Sequence, residues 1–266
     1  MSKRATQQLK QASLAAALML LGCTGLGLVT AGNTASATTT AALSNNIGDY
    51  VASRLDDFTA TMRVTYHDDN ALRKINKDFG MIYKLQGDVR VHYKDENKLR
   101  LDARLGASSA TLIVNGTKQY VRLSGLGIKD VRDLGESPGK RKTLLDVGML
   151  SHGYLAYTHA EFRGTRPVDG VECAVFRVSY RDKNLDTSHR IIWVDPRTKV
   201  VLKREEYSQE GKLNAIFYYR APHEVAPGVW FPSRIEVFNN ENQRAGETVY
   251  RDVHVNTGLE DKLFRL

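Results

Sequence analysis

The stretch Thr111-Leu-Ile-Val-Asn-Gly-Thr-Lys-Gln-Tyr-Val-Arg-Leu123 decides the fold class of this chain. Asn115-Gly116 separates two apolar-rich runs, and Asn-Gly in that setting is the strongest short-range signal for a tight β-hairpin turn. A two-residue turn can join only antiparallel neighbours. The stretch therefore predicts two adjacent antiparallel strands.

The same strand pattern extends outward from this hairpin in both directions. Apolar and polar residues alternate with a period of two upstream, at 58–66, 79–93 and 99–103. Downstream, the predicted strands lie near 171–181, 188–194, 199–207, 212–220, 229–238 and 246–255. The connections are too short for crossover helices, so we predict one large antiparallel sheet of about ten or eleven strands. A sheet of that size twists and curls, which favours a half-barrel.

Two segments predict helices, which makes the fold class mainly β with some α structure (α+β). From Ser44 to Phe58, apolar residues recur at intervals of three and four. From Ser137 to Leu150, Ser137 suits an N-cap and Pro138 suits the first turn. We expect the N-terminal helix and the mid-chain helix to cover the apolar face of the sheet. The mid-chain helix is either an ordinary packed helix or a movable lid with flexible points at Gly139 and Gly148.

The first segment of the chain is typical of an export signal. Lys3, Arg4 and Lys10 precede an apolar stretch at 14–21, and 35–37 reads Ala-Ser-Ala. We predict a signal peptide at 1–37, a linker at 38–44 and one domain at 45–266, in the periplasm. Two alternatives remain for this segment. Leu20-Leu-Gly-Cys23 resembles a lipobox, so that Cys23 would be lipidated, and an apolar run to position 31 would suit a retained anchor.

Composition argues against several other classes of protein. Lys140-Arg-Lys142 is the longest basic run, so we expect no nucleic-acid partner, while a net charge of about +5 without the leader suits an anionic membrane surface. The sequence contains no His-x-x-x-His, Cys-x-x-Cys or Gly-x-Ser-x-Gly motif. We therefore predict no catalytic residues, no metal, no cofactor and no enzymatic activity. Cys173 lies in a strand-like run and is expected to be a small buried residue.

A curled sheet covered by only two helices can enclose an apolar hollow. The residues expected to line it on the strands are Val89, Val91, Leu99, Leu101, Leu112, Val114, Phe176, Val178, Ile192 and Val194. Leu144, Leu145 and Met149 of the mid-chain helix are expected to close it. A slip of one residue in any strand would turn its side chains to the opposite face.

The order of helix, long antiparallel strands, mid-chain helix and more strands resembles the outer-membrane lipoprotein carrier superfamily, which includes LolA, LolB and RseB relatives. Local sequence agrees over most of residues 45–264. The matching pieces are Leu85-Gln-Gly87, Lys98-Leu-Arg-Leu-Asp102, Leu112-Ile-Val-Asn-Gly-Thr-Lys-Gln-Tyr120, Arg190-Ile-Ile-Trp-Val-Asp-Pro196, Val201-Leu-Lys-Arg204, Trp230-Phe-Pro232 and Val253-His-Val-Asn-Thr-Gly-Leu-Glu-Asp-Lys-Leu-Phe264.

The resemblance implies a half-barrel domain that binds acyl chains of a lipid or lipoprotein in the periplasm, without catalysis. It also implies a role in outer-membrane lipid or lipoprotein trafficking, and an inner- or outer-membrane partner protein. The alternative on the same fold is an envelope-stress sensor or a protein-interaction module. One departure concerns the lid, because carriers of this superfamily latch it with an Arg-Pro pair where this chain has His92-Tyr-Lys-Asp95.

Overall fold

The computed structural model describes residues 43–52, 54–76, 83–95 and 97–266, and it contains one antiparallel sheet of 13 strands. The predicted fold class is confirmed. The strands are β1 (Asp57–His67), β2 (Gln86–Lys94), β3 (Lys98–Leu105), β4 (Ser108–Asn115), β5 (Lys118–Leu123), β6 (Ile128–Asp133), β7 (Thr158–Val168), β8 (Val171–Tyr180), β9 (His189–Val194), β10 (Val201–Tyr207), β11 (Leu213–Ala226), β12 (Val229–Asn239) and β13 (Arg244–Val255). The Asn115-Gly116 turn joins β4 and β5 as predicted.

The sheet consists of two meanders that meet at its centre. The strand order is β6-β5-β4-β3-β2-β1-β13-β12-β11-β10-β9-β8-β7, so the chain runs outward from β1 to β6 and returns from β7 to β13. β6 and β7 are therefore the two edges. Residues 134–157, here called the crossing segment, connect one edge to the other, and they pack over the face of the sheet between them.

The seam between the first and last strands is closed at one end by Asp57. Phe58 pairs with Val255 across this seam. The two Asp57 carboxylate oxygens accept hydrogen bonds from the backbone N–H groups of Thr257, Gly258 and Leu259 at 2.7–2.9 Å. These hydrogen bonds outweigh burial and lower the pKa of Asp57, so the ionised carboxylate stabilises the seam.

The predicted N-terminal helix is much shorter than expected. Among the described residues between 44 and 58, helical structure is limited to a 3₁₀ turn at Ile47–Tyr50, and β1 begins at Asp57. Beyond this turn Val51 is extended and pairs with Leu150, while Ala52 N–H donates to the Leu150 carbonyl at 3.0 Å. Pairing with the crossing segment thus replaces the backbone hydrogen bonds that would continue a helix.

The predicted helix at 137–150 is also wrong as a continuous element. The crossing segment contains two 3₁₀ turns, Pro138–Lys140 and Leu144–Val147, followed by a short helix at His152–Leu155. Backbone hydrogen bonds within the segment are confined to short turns, such as Gly148 N–H to the Leu145 carbonyl at 3.0 Å, and other backbone groups bind distant parts of the chain. Gly139 N–H donates to Asp186 at 3.0 Å, and the Gly148 carbonyl accepts from Val201 N–H at 2.8 Å.

Three elements were not predicted from the sequence. β6 and β7 are edge strands with mostly exposed or half-buried side chains, and so they lack a strong apolar pattern. They account for the difference from the predicted strand number. Helix α1 (Asp69–Ile75) follows β1 directly, and Asp68 caps it by accepting from Asn70 and Ala71 N–H. Two further 3₁₀ turns lie at Ser124–Leu126 and Asp261–Phe264.

The predicted signal peptide at 1–37, with Cys23, and nearly all of the linker at 38–44 lie outside the described residues. Both remain predictions. Within the part of the chain that the structure describes, no helix is long and apolar enough to cross a membrane.

Candidate functional site

The ten strand residues predicted to line a hollow share one face of the sheet, here called the inner face. Val91 pairs with Leu101, which pairs with Leu112, and on the other meander Phe176 pairs with Ile192. Directly paired residues point to the same side of a sheet. Pairs continue this face across the centre: Met62–Tyr250, Thr248–Ile235, Ile235–Tyr219, Phe217–Arg204 and Arg204–Ile192.

A central cavity of about 70 Å³ lies between the inner face and the crossing segment. Its floor includes Phe58, Val91 and Leu101 from the first meander and Phe217 and Tyr250 from the second. The roof consists of crossing-segment residues at 142–144 and 146–147. The cavity is therefore apolar below, and its roof is a segment that is not part of the sheet.

The predicted lining residues divide into three groups in the structure. Val91, Leu99, Leu101 and Leu144 line the central cavity. Met149 lines a second cavity, described below. The remaining residues line neither cavity and are buried in the hydrophobic core: Val89, Leu112, Val114, Leu145, Phe176, Val178, Ile192 and Val194. Their predicted role in ligand binding stays a prediction.

A buried charged cluster lies on the inner face beneath the crossing segment. Arg204 is 1% exposed, and its Nη1 lies 3.3 Å from the Asp146 carboxylate and 3.4 Å from the Leu145 carbonyl. Its Nη2 lies 3.5 Å from Glu206 Oε1. Arg190 approaches the same Glu206 oxygen at 3.3 Å through its Nε. Arg204 therefore connects the sheet to the crossing segment through both a charge pair and a backbone carbonyl.

The carboxylates of this cluster are partly buried, and the neighbouring positive charges keep them ionised. Burial alone would raise the pKa of Asp146, but the positive charges of Lys142 and Arg204 outweigh it and lower that pKa. Burial is likewise outweighed at Glu206, where Arg204 and Arg190 lower the pKa. The cluster therefore holds charges of both signs, and each depends on its partners for stability.

The middle of the crossing segment packs closely against Tyr219. Gly148 has a φ of +82°, and a Cβ placed there would lie 2.6 Å from Tyr219 Cδ1. The Tyr219 hydroxyl donates to the Leu145 carbonyl at 2.9 Å. A glycine is thus required here both for the left-handed backbone conformation and for the close approach of the ring.

Arg190, Arg204, Glu206 and Asp146 are the residues that the sequence analysis missed. Each of the first three has an apolar cross-strand partner on the inner face: Val178 for Arg190, Phe217 for Arg204 and Ala215 for Glu206. Arg190 and Glu206 are also paired directly with each other. Charged residues in register with apolar partners would have been the signal. That signal can be read only when the register of the strands is known.

The second cavity opens at one end of the sheet and has a volume of about 310 Å³. It is bounded by the β9–β10 turn, the β11–β12 turn and residues 51–52 and 54–55, and it reaches Met149 of the crossing segment. Its walls carry Arg54, Arg197, Lys199 and Trp230. It differs from the central cavity in being both larger and bordered by positive charge.

Cys173 is fully buried on β8, as predicted, and burial raises the pKa of its thiol to about 12. The thiol is therefore protonated and a poor nucleophile at neutral pH. Among the described residues, no group of three or more His, Cys, Asp or Glu side chains is arranged to hold a metal ion.

Comparison with known proteins gives the class of fold. A family model described as that of an uncharacterized protein matches residues 145–266. No curated protein matches the sequence. A DUF1329 family protein from Desulfovibrio piger superimposes with a TM-score of 0.57 at 13% identity, covering 82% of this chain and 92% of that chain.

Two further solved structures agree. A domain described as an outer membrane lipoprotein-sorting protein, from Vibrio parahaemolyticus, gives a TM-score of 0.56 at 12% identity, covering 82% and 93% of the two chains. A LolA superfamily protein from Nitrosomonas europaea gives 0.56 at 16% identity, covering 83% and 94%. The described domain therefore has a LolA-like fold, and the resemblance predicted from the sequence is confirmed at the level of the fold.

Proposed function

We propose that this chain is a periplasmic binding or carrier protein that holds acyl chains of a lipid or lipoprotein between the inner face and the crossing segment. The observation that carries the proposal is the apolar floor of the central cavity, roofed by a segment outside the sheet. Fold likeness to a lipoprotein-sorting domain and to a LolA superfamily protein supports it, as does the export signal predicted at 1–37.

The central cavity as it stands is too small for an acyl chain. Its volume is about 70 Å³, whereas sites for small organic ligands usually occupy roughly 300–1,000 Å³. Uptake therefore requires the crossing segment to move away from the inner face. We infer that the structure represents the closed, unloaded state of a binding protein.

A few identifiable contacts would have to break for that movement. Arg204 would release the Leu145 carbonyl and the Asp146 carboxylate, and Tyr219 would release the Leu145 carbonyl. In this proposal Arg204, which lies on β10, performs the latching that the superfamily resemblance places near residues 92–95. The latch thus lies on the second meander of this chain.

Burial of methylene groups supplies the energy for opening. Each CH₂ removed from water contributes about 0.8 kcal/mol, so a long acyl chain can offset several broken polar contacts, each worth about 1 kcal/mol net. A short-chain or headgroup-only compound cannot. Affinity should therefore rise steeply with chain length.

Native mass spectrometry of the chain purified from a bacterial periplasm, followed by lipid extraction, tests the proposal. We expect a co-purifying acyl-chain species near one per protein. Leu101→Arg places a charge on the cavity floor and should abolish this capture. Val131→Arg is the matched control, because Val131 is 54% exposed on an edge strand and should retain the lipid.

The proposal is wrong if the folded wild-type chain stays free of lipid after incubation with envelope lipids, or if Leu101→Arg binds as the control does. Circular dichroism and thermal unfolding of both variants separate loss of binding from loss of fold. Capture of a protein partner by the lipid-free chain would instead favour a sensor or an interaction module.

A further inference from the structure

The open cavity at the end of the sheet, at about 310 Å³, lies within the size range of small-molecule sites. It is formed where the β9–β10 turn (195–200) and the β11–β12 turn (227–228) approach the N-terminal residues of the domain. Most of its walls belong to loops, and it lies apart from the central cavity. The proposed acyl-binding function therefore does not account for it.

Three cationic side chains line this cavity without carboxylate partners. Within residues 43–52, 54–76, 83–95 and 97–266, Arg54, Arg197 and Lys199 form no ion pair, although many surface cations elsewhere do. Arg54 only reaches the Pro227 carbonyl, at 3.4 Å. Like charges gathered in one cleft repel one another, so an anion that joins them is favoured.

Among the described residues, two acidic side chains lie at the turns that border the cavity, and neither forms an ion pair with Arg54, Arg197 or Lys199. Glu224 Oε1 accepts a hydrogen bond from Gly228 N–H at 2.7 Å. The Asp195 carboxylate is buried, and its oxygens accept from Arg197 N–H at 2.9 Å and from Thr198 Oγ1 at 2.7 Å. It therefore shapes the turn that presents Arg197 and Lys199. The guanidinium of Arg197 instead lies over the ring of Trp230, with its Cζ 5.0 Å from the ring centroid.

The floor of the same cavity is apolar. Val51, Leu55, Met149 and Val229 line it, and all four are buried. A cationic rim above an apolar floor is complementary to a molecule with an acidic head and a hydrocarbon body. Met149 belongs to the crossing segment, so a ligand here contacts the same segment whose residues 142–144 and 146–147 roof the central cavity.

We propose that this cavity binds the anionic headgroup, a phosphate or a carboxylate, of an amphiphile, and that the first part of its hydrocarbon lies on the apolar floor. Arg54, Arg197 and Lys199 hold the headgroup, and Trp230 borders it. This proposal extends the proposed function, because it specifies that the ligand is anionic. It rests on the proposed function only for where the acyl chain binds. A free phosphate ion has the same chemistry as the headgroup and is the alternative ligand for these three cations.

Fluorescence of Trp230 reports directly on the site. The chain contains two tryptophans, so Trp193→Phe leaves Trp230 as the single emitter. Three probes are titrated: lysophosphatidylglycerol, lysophosphatidylcholine and inorganic phosphate, with both lipids below their micelle concentrations. We expect the anionic lysolipid to bind roughly ten-fold or more tightly than the zwitterionic one, since charge-assisted hydrogen bonds are among the strongest available.

The double variant Arg197→Gln/Lys199→Gln should weaken binding of the anionic lysolipid by roughly ten-fold or more, and higher salt should weaken wild-type binding. Arg166→Gln/Lys183→Gln removes the same charge from exposed positions outside the cavity and should leave the midpoint of the titration unchanged. Midpoints are compared rather than amplitudes, because loss of Arg197 changes the surroundings of Trp230.

Equal affinity for the two lysolipids, or equal midpoints for the two double variants, would overturn the proposal. If inorganic phosphate binds as tightly as the anionic lysolipid, the site binds a free anion, and the proposal of an amphiphilic ligand is wrong. Leu101→Arg separates the two proposals. If it loses acyl capture but keeps the Trp230 response to the anionic lysolipid, the headgroup site stands on its own.

Discussion

The two meanders of the sheet present very different inner faces to the same crossing segment. On β2–β4 this face consists of valine, leucine, alanine and tyrosine side chains: Val89, Val91, Tyr93, Leu99, Leu101, Ala103, Leu112 and Val114. On β9 and β10 the same face carries Arg190, Arg204 and Glu206 among its apolar residues. One sheet therefore combines an apolar wall and a charged wall.

This difference shows how the crossing segment can be held in the closed position and still be released by a ligand. The apolar wall attracts hydrocarbon without regard to direction, so it serves a ligand and the crossing segment equally well. The charged wall requires particular partners at particular distances, such as Asp146 and the Leu145 carbonyl on Arg204. We infer that the charged wall fixes the closed position and that the apolar wall supplies the binding energy.

The largest effect on stability is expected from Arg204→Met. Removal of this guanidinium leaves the Glu206 carboxylate without its main partner and leaves Asp146 with Lys142 alone, which should cost roughly 3–5 kcal/mol of unfolding free energy. Urea unfolding measures it, with the exposed Arg166→Met as control. A loss no greater than that of the control would show that the charged wall does not hold the fold.

Leu112→Ala tests the apolar wall in the same way. Leu112 is 2% exposed, and deletion of a buried leucine side chain usually costs about 3 kcal/mol through lost transfer energy and the space left behind. Val131→Ala on the exposed edge should change the unfolding free energy little. If an added acyl ligand restores the lost stability of Leu112→Ala, the new space is continuous with the binding site.

Glu247 provides a contrast with the ionised carboxylates of the charged wall. Burial raises its pKa from the ordinary 4.5 to about 7, and nearby Arg234 and Arg244 only partly oppose this. Its neutral form is therefore favoured in the folded state. The stability that it contributes is complete below pH 4.5 and is lost as pH rises through about 7.

Glu247→Gln should remove this loss, on the order of 2 kcal/mol near pH 8, and should leave stability near pH 4 almost unchanged. Denaturant unfolding at a series of pH values measures it. Parallel pH profiles for the variant and the wild-type chain would refute the assignment to Glu247.

The smallest effect is expected from Leu101→Ala. This side chain is only partly buried and already borders the central cavity, so its truncation should cost about 1 kcal/mol. Because the cavity grows, we expect affinity for bulkier acyl chains to rise relative to single chains. Competition binding between lysolipid and diacyl lipid measures it, and an unchanged preference would place the ligand elsewhere.

Local patterns were sufficient for most of the fold and for part of the site. The period of two placed Val91, Leu99 and Leu101 on one face, and Asn115-Gly116 fixed a hairpin, because both signals depend on neighbouring residues only. The helix predicted over 137–150 failed because its backbone groups bind the distant residues Asp186 and Val201. Nothing within the segment itself indicates those partners.

The charged wall could not be predicted from the sequence for a related reason. Arg204 meets Asp146 only because the crossing segment passes over β10, and that path follows from the strand order. The Arg54, Arg197 and Lys199 cavity likewise assembles three loops that are far apart in sequence. Contacts of this kind require topology, which periodicity does not supply.

The seam between β1 and β13 has a consequence for how the chain reaches its native state. Phe58 and Val255 meet there, so the centre of the sheet depends on contacts of very high sequence separation, which form slowly because loop closure costs entropy. Each meander, by contrast, grows by local hairpins. We therefore expect two half-sheets to form first and to dock last, with the Asp57 carboxylate binding Thr257, Gly258 and Leu259 as the closing event. Until then two strand edges in the middle of the sheet are open to other chains, which makes this interval the one most exposed to aggregation.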